Sequence, residues 1–148
     1  MNNKWDKRFI EMAKEVSSWS KDPSRQIGAI CVDENKRILS MGYNGFPRGV
    51  SDTSERYNDR PTKYKYVVHA EMNCIYNATH NGVSLNDSTM YVWGLPMCSE
   101  CAKGVIQVGI KRIIYATMDP TDKWVESSKL ALEMCDEAGV KYEKICLQ

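Results

Sequence analysis

The chain has 148 residues, 43% apolar and 26% charged, with a formal net charge of +1. These are ordinary values for one globular domain, here 1–148, that buries about two thirds of the surface its unfolded chain exposes. So near-neutral a charge gives no global field toward nucleic acid or a membrane surface, and no apolar run approaches the roughly 20 residues of a bilayer span. The N-terminal MNNKWDKRFI lacks a secretory signal's apolar segment, so a cytoplasmic protein without nucleic-acid or membrane partners is expected.

In chain order, Trp5, Phe9, Met12, Val16 and Trp19 recur at helical spacing behind a possible cap, Asn3, and SKDPS at 20–24 stops the helix at Pro23. IGAICV (27–32) and RILSMGY (37–43), joined by DENK, read as a β-hairpin. Residues 44–66 hold two prolines, two glycines and several charges, and loops this long in compact domains are usually functional or disordered. A helix is predicted from His69 to about Thr79 with HNG as its stop, then a buried strand TMYVW (89–93). Another helix runs from Cys98 to about Val108, followed by the strand KRIIYAT (111–117). A helix over 127–138 and a strand over 140–147, VKYEKICL, complete the chain. The order αββαβαβαβ predicts an α/β fold: a five-stranded mixed sheet, first pair antiparallel and later strands parallel, with helices on both faces. The site is then expected where helix N-termini meet strand ends.

Of the six cysteines, Cys98 and Cys101 form a C-x-x-C, while Cys31, Cys74, Cys135 and Cys146 fall in apolar periodic stretches. A metal-binding pair and four buried thiols in a reducing compartment is simpler than a disulfide framework. Two thiolates at a helix start can reach one ion, and His69, also at a helix start, is the candidate third ligand. Three protein ligands leave one position open on tetrahedral zinc, the mark of a catalytic site, and zinc lowers the pKa of bound water to about 7. Glu71, two residues beyond His69, can curl back from the first helical turn to move protons between water and a substrate nitrogen. Either half alone is weak. Jointly, H-x-E followed by P-x-C-x-x-C is close to H-x-E…P-C-x-x-C, the signature of zinc nucleobase deaminases.

KYKYVVHAEMNCI, MYVWGLPMCSECAKGVIQVGIK, DPSRQIGAICV and GYNGFPRGVSD together resemble the deoxycytidylate (dCMP) deaminase family of the cytidine deaminase superfamily, over about residues 22–117. The resemblance implies a three-layer α/β/α fold and zinc-dependent hydrolysis of dCMP to dUMP and ammonia, upstream of thymidylate synthesis. It implies His69, Cys98 and Cys101 as zinc ligands and Glu71 as proton carrier between N3 and the departing amine. The Ala70 N–H would meet the pyrimidine carbonyl and Asn44 the deoxyribose. Ser24, Arg25, Lys63 and Tyr64 are the candidates for the 5′-phosphate, which needs cationic and N–H donors. It further implies activation by dCTP and inhibition by dTTP, with Mg2+ accompanying the triphosphate, beside a loop containing Gly42, Asn44, Gly45, Phe46 and Arg48, between subunits of a hexamer. One departure stands out: Met97 separates Pro96 from Cys98, and Trp93–Gly94 lengthen the approach, so the loop facing the leaving amine is expected to run differently. A second, structural zinc is not expected, since only His80 remains.

Blander readings accompany these. One of Asn73 and Asn77 is expected to fix a loop and the other to be exposed. His80 reads as a solvated helix end, Lys111–Arg112 as an exposed edge, and Trp5, Phe9 and Trp19 as core or subunit interface. Two other functions stay open at this point: deamination of a base within tRNA or another nucleic acid, which needs a basic track, and a non-catalytic, zinc-stabilised nucleotide-binding module.

Overall fold

In the computed structural model, which describes residues 3–117 and 125–146, Asn3 caps helix α1 (Lys4–Ser17) by accepting the Asp6 N–H at 2.9 Å. The buried face of α1 is Asp6, Phe9, Ile10, Ala13, Val16 and Ser17. The predicted face is therefore corrected: Trp5 and Met12 are 36% exposed, and Trp19 lies beyond the helix, 52% exposed and edge-on to Tyr43. Counting only large apolar residues misplaces the stripe because a carboxylate, Asp6, belongs to it. Asp6 accepts from the Tyr91 hydroxyl at 2.7 Å and from both terminal nitrogens of Arg112 at 2.8 and 3.1 Å. Arg112 is thus no exposed edge residue; it anchors α1 to the sheet.

The sheet holds β1 (Gly28–Val32), β2 (Ile38–Tyr43), β3 (Thr89–Trp93), β4 (Arg112–Ala116) and β5 (Lys141–Lys144) in the order β2-β1-β3-β4-β5. Strand β1 runs antiparallel to β2 and β3, and β3, β4 and β5 are mutually parallel, as the alternation of strands and helices predicts. One face packs on α1 through Phe9, Ile10, Ile30, Tyr91 and Ile114. The other packs on α4 (Ala70–His80), α5 (Ser99–Gln107) and α6 (Val125–Ala138), through Cys74, Val105 and Ala131 against Cys31, Met90 and Ile113. The result is the three-layer α/β/α sandwich expected. Close approach needs glycine in two places: a Cβ on Gly28 would lie 2.1 Å from the Ala13 carbonyl oxygen, and one on Gly42 2.4 Å from the Cys74 nitrogen.

The segment 44–66 is not irregular throughout. It contains two short helices, α2 (Ser54–Asn58) and α3 (Arg60–Tyr66). Gly45 and Val68 exchange both backbone hydrogen bonds across its ends, and Phe46 stacks on Tyr57 at 4.3 Å. Asn73 and Asn77 both act as ties, donating to the Tyr43 and Met41 carbonyls of β2 at 2.8 and 2.7 Å. At the C-terminus β5 ends at Lys144, shorter than the predicted strand, whose Leu147 lies outside the described residues. All six cysteines are free, and Cys31, Cys74 and Cys135 are buried. Cys146 is exposed and so is not the core thiol its apolar surroundings suggest. Among the described residues no helix is long and apolar enough to cross a membrane.

Candidate active site

His69 and Cys98 occupy the same kind of position, each the extended residue immediately before a helix, α4 and α5 respectively. Such a residue sits where the first-turn N–H groups have no intrahelical acceptor and the dipole is positive. Cys98 uses this place: its sulfur accepts the Cys101 N–H at 3.4 Å. The neighbouring helices bring His69 Nδ1 to 3.3 Å from Cys101 Sγ and 3.4 Å from Cys98 Sγ, and all three ligand atoms lie within 4.8 Å of one another. Zn–S and Zn–N bonds of about 2.3 and 2.0–2.1 Å at tetrahedral angles place N and S about 3.6 Å apart. The trio therefore fits zinc in both donor chemistry and spacing. No fourth His, Cys, Asp or Glu joins the group among the described residues, so the coordination is that of an open site rather than a closed structural one.

The local electrostatics suit a cation. Cys98 is pulled down to about 4, chiefly because the Cys101 thiol donates to it, with burial opposing and His69 helping. Cys101 is correspondingly pushed up by the same contact and by burial, so the pair shares one proton that a metal can displace. His69 is raised by its hydrogen bond to Cys98, against burial. Glu71, on the first turn of α4 and 4% exposed, is pushed up to about 7 by burial, with His69 opposing. A carboxyl so placed can carry a proton near neutral pH.

His69, Glu71 and Cys98 line a cavity of about 350 Å3, within the usual range for small-molecule sites. The structure places Ser24, Arg25, Asn44, Lys63 and Tyr64 on its lining, and buries Ala70 at the start of α4. Their roles differ, however. Lys63, 5% exposed, is paired with buried Asp22 at 3.2 Å and donates to Ser24 Oγ at 3.0 Å. The Asn44 side chain accepts the Ile27 N–H at 2.9 Å and donates to the Arg25 carbonyl at 2.7 Å, fixing the 25–27 turn. Arg25 and Arg60 line the cavity, and their guanidiniums have no hydrogen-bond or ion-pair partner among the described residues. Sequence reasoning missed Asp22 and Arg60. Asp22 stands in SKDPS, where the proline and turn chemistry draw attention instead, and Arg60 in a segment with no helical period.

The departure at Met97 also has a structural resolution. Met97 turns its side chain into the core, 1% exposed, and its N–H donates to the Tyr142 hydroxyl of β5 at 2.8 Å. The extra residue thus ties the cysteine loop to a strand, with Leu95 and Pro96 left on the cavity wall.

A second cavity, of about 500 Å3, opens on the other side of the 43–48 segment and is lined by Gly45, Phe46, Arg48, Tyr76, Asn77 and His80 among others. Arg48 donates to Asn77 there at 2.8 Å. Gly42 and Asn44 are not on its lining. Gly42 is sealed against α4, and Asn44 faces the first cavity.

A five-stranded mixed sheet with His69, Cys98 and Cys101 gathered at two helix starts beside a buried glutamate defines the zinc deaminase class of α/β enzymes. A sequence profile described as the cytidine and deoxycytidylate deaminase zinc-binding region matches residues 3–117. Human deoxycytidylate deaminase is 39% identical over 149 residues, spanning 95% of this chain and 79% of that one. An uncharacterised deaminase of Aliivibrio fischeri is 41% identical over 143 residues, spanning 95% and 93%. The crystal structure of dCMP deaminase from the cyanophage S-TIM5 superposes with a TM-score of 0.78 at 25% identity, over 98% of this chain and all of that one. The chain belongs to the cytidine and deoxycytidylate deaminase family.

Proposed function

We propose that this chain is a deoxycytidylate deaminase, hydrolysing dCMP to dUMP and ammonia. One observation carries the reading: a single cavity has His69 and Cys98 of the ligand trio and Glu71 on its lining together with Arg25 and Arg60, whose guanidiniums have no hydrogen-bond or ion-pair partner among the described residues. A nucleotide with a reactive base and an anionic phosphate matches both.

Held by His69, Cys98 and Cys101, zinc would supply activated water at neutral pH. The remaining work belongs to the chain. Glu71, buried beside the ligands, takes the proton that the attacking water gives up and delivers it to pyrimidine N3, then takes the proton of the new C4 hydroxyl and passes it to the amine, which leaves as ammonia while the C4 carbonyl forms. The Ala70 N–H, in a first turn that has no acceptor of its own, is the donor for the base carbonyl. Asn44 donates one N–H of its amide to the Arg25 carbonyl and has no partner for the other among the described residues, which makes it the candidate contact for the sugar. Arg25, Arg60 and the Lys63 ammonium neutralise the phosphate. Regulation by dCTP and dTTP, with Mg2+ on the triphosphate, would use the second cavity, where Phe46 offers a stacking face and Arg48 a cation. That cavity opens beside exposed Tyr43 and Tyr76, the apolar surface a subunit neighbour in a hexamer would cover.

The test is ammonia release from dCMP by the zinc-loaded protein and by Glu71→Gln. Wild type should release ammonia, and the variant should retain zinc while losing roughly 10²–10⁴-fold in rate. Equal, negligible release from both with zinc present would sink the enzymatic reading in favour of a binding module.

A further inference from the structure

The Asp22 carboxylate is an anomaly on the wall of a pocket meant for an anion. It is 3% exposed and among the lining residues, and a negative charge there opposes phosphate. Burying it also costs solvation that only close partners offset. Its partners are all from the cavity wall. Oδ1 accepts the Ser24 N–H at 2.9 Å, the Ser24 hydroxyl at 3.0 Å and the Arg25 N–H at 3.2 Å, while Oδ2 faces Lys63 Nζ at 3.2 Å. The backbone of Asp22 is fixed in turn: its N–H donates to Ser20 Oγ, which donates to the Asn44 carbonyl at 2.8 Å.

We propose that Asp22 is a positioning residue for phosphate selectivity, holding Lys63 and the Ser24–Arg25 turn in one preformed arrangement that aims cations at a nucleotide's 5′-phosphate. The inference rests on the dCMP reading above.

Three consequences follow from the bonding. First, Ser24 is committed. Its hydroxyl gives its proton to Asp22 and accepts from Lys63, so it links the two rather than donating to a ligand. Second, Lys63 Nζ donates to Asp22 Oδ1 at 3.4 Å and to Ser24 Oγ at 3.0 Å, with Oδ2 at 3.2 Å and the Tyr64 ring 5.5 Å away, so its ammonium is held in one place on the wall. Third, the lining carries three cationic side chains, Arg25, Arg60 and Lys63, against the carboxyl groups of Asp22 and Glu71. Asp22 offsets one of these cations, and the others remain for a phosphate monoester, which carries about −1.5 to −2 at pH 7. Pre-organisation matters here because ordering long cationic side chains at the moment of binding costs affinity. Burial would raise the Asp22 carboxyl, but the Ser24 and Arg25 N–H groups and Lys63 hold it below the usual range, so the clamp is charged at working pH.

The experiment compares steady-state turnover of dCMP and 2′-deoxycytidine by the zinc-loaded wild type, Asp22→Asn and Lys63→Gln. Asn keeps an acceptor for the turn but loses the charge that holds Lys63. The inference expects KM for dCMP to rise at least tenfold in D22N while kcat stays within about threefold, with kcat/KM for deoxycytidine unchanged. K63Q should shift the same ratio in the same direction, and the double variant should add little to either. K63Q carries the test alone if D22N loses its cooperative thermal transition. Two outcomes overturn the inference: a D22N enzyme (or, in its place, K63Q) with the wild-type preference for dCMP, or an equal loss on both substrates, which marks a general structural role. Wild type turning over deoxycytidine as well as dCMP is a different failure, for it removes the dCMP reading itself and the inference with it.

Discussion

Gly42 has no side chain because α4 leaves no room for one. A Cβ there would lie 2.4 Å from the Cys74 nitrogen and 2.7 Å from the Ala70 carbonyl oxygen, backbone atoms of the helix that carries Glu71 and begins just after His69. Gly42→Ala must therefore push strand and helix apart. Overpacking of this kind typically costs about 1–3 kcal/mol, so the urea midpoint should fall with the m-value unchanged. Activity should fall further than stability alone requires, because the shift moves Glu71. A variant of wild-type stability would refute the close contact. At this scale the sequence exposes chemistry better than partnership. That His69, Glu71, Cys98 and Cys101 fall into one site was legible because few residue types suit a metal and a proton carrier and both motifs stand at a helix start. The commitment of Lys63 to Asp22 was not legible: the two lie 41 positions apart, and nothing local distinguishes a lysine facing solvent from one facing a buried carboxylate.

Helix α1 shows how an element can be found from sequence while its orientation is missed. Its length and its Asn3 cap follow from spacing and capping chemistry. Its buried stripe depends on Asp6 meeting Arg112 and Tyr91, an encounter between residues about a hundred positions apart. The short helices α2 and α3 escaped for another reason: five and seven residues are too few to display an apolar period. The Asp6 network makes a pH prediction. Burial would raise the Asp6 carboxyl, but bonds from Arg112 and Tyr91 and the Arg112 charge outweigh it and hold it low. The folded state then binds fewer protons than the unfolded state between the depressed value and the unfolded value near 3.9. The Asp6 contribution is accordingly complete above about pH 5 and is lost as pH falls through the folded value. Asp6→Asn should cost about 2 kcal/mol at pH 7. The gap between wild type and variant in urea titrations should narrow as pH falls below about 5; a gap independent of pH would refute the charged network.

The whole molecule raises the question of how much of the fold depends on its metal. The three ligands sit at the start of α4 and within α5 and its cap, two helices that already pack on one face of the sheet. Zinc would pin one edge of that pair. The two apolar clusters, one on each sheet face, draw on α1, α4, α5, α6 and the strands β1, β3 and β4 for their buried members, among which Cys101 is the one zinc ligand. This distinguishes the chain from small zinc domains, whose binding free energy is their folding free energy. Removing the metal with a strong chelator should therefore leave the far-ultraviolet circular dichroism and a cooperative melt intact while abolishing ammonia release. Stability should drop only by linkage, about 2.7 kcal/mol for free zinc at a hundred times its Kd, or on the order of 5–10 °C in Tm. Readdition of zinc should restore both. A metal-free chain without a thermal transition would mean that the α4–α5 junction, rather than the two cores, holds the sandwich together.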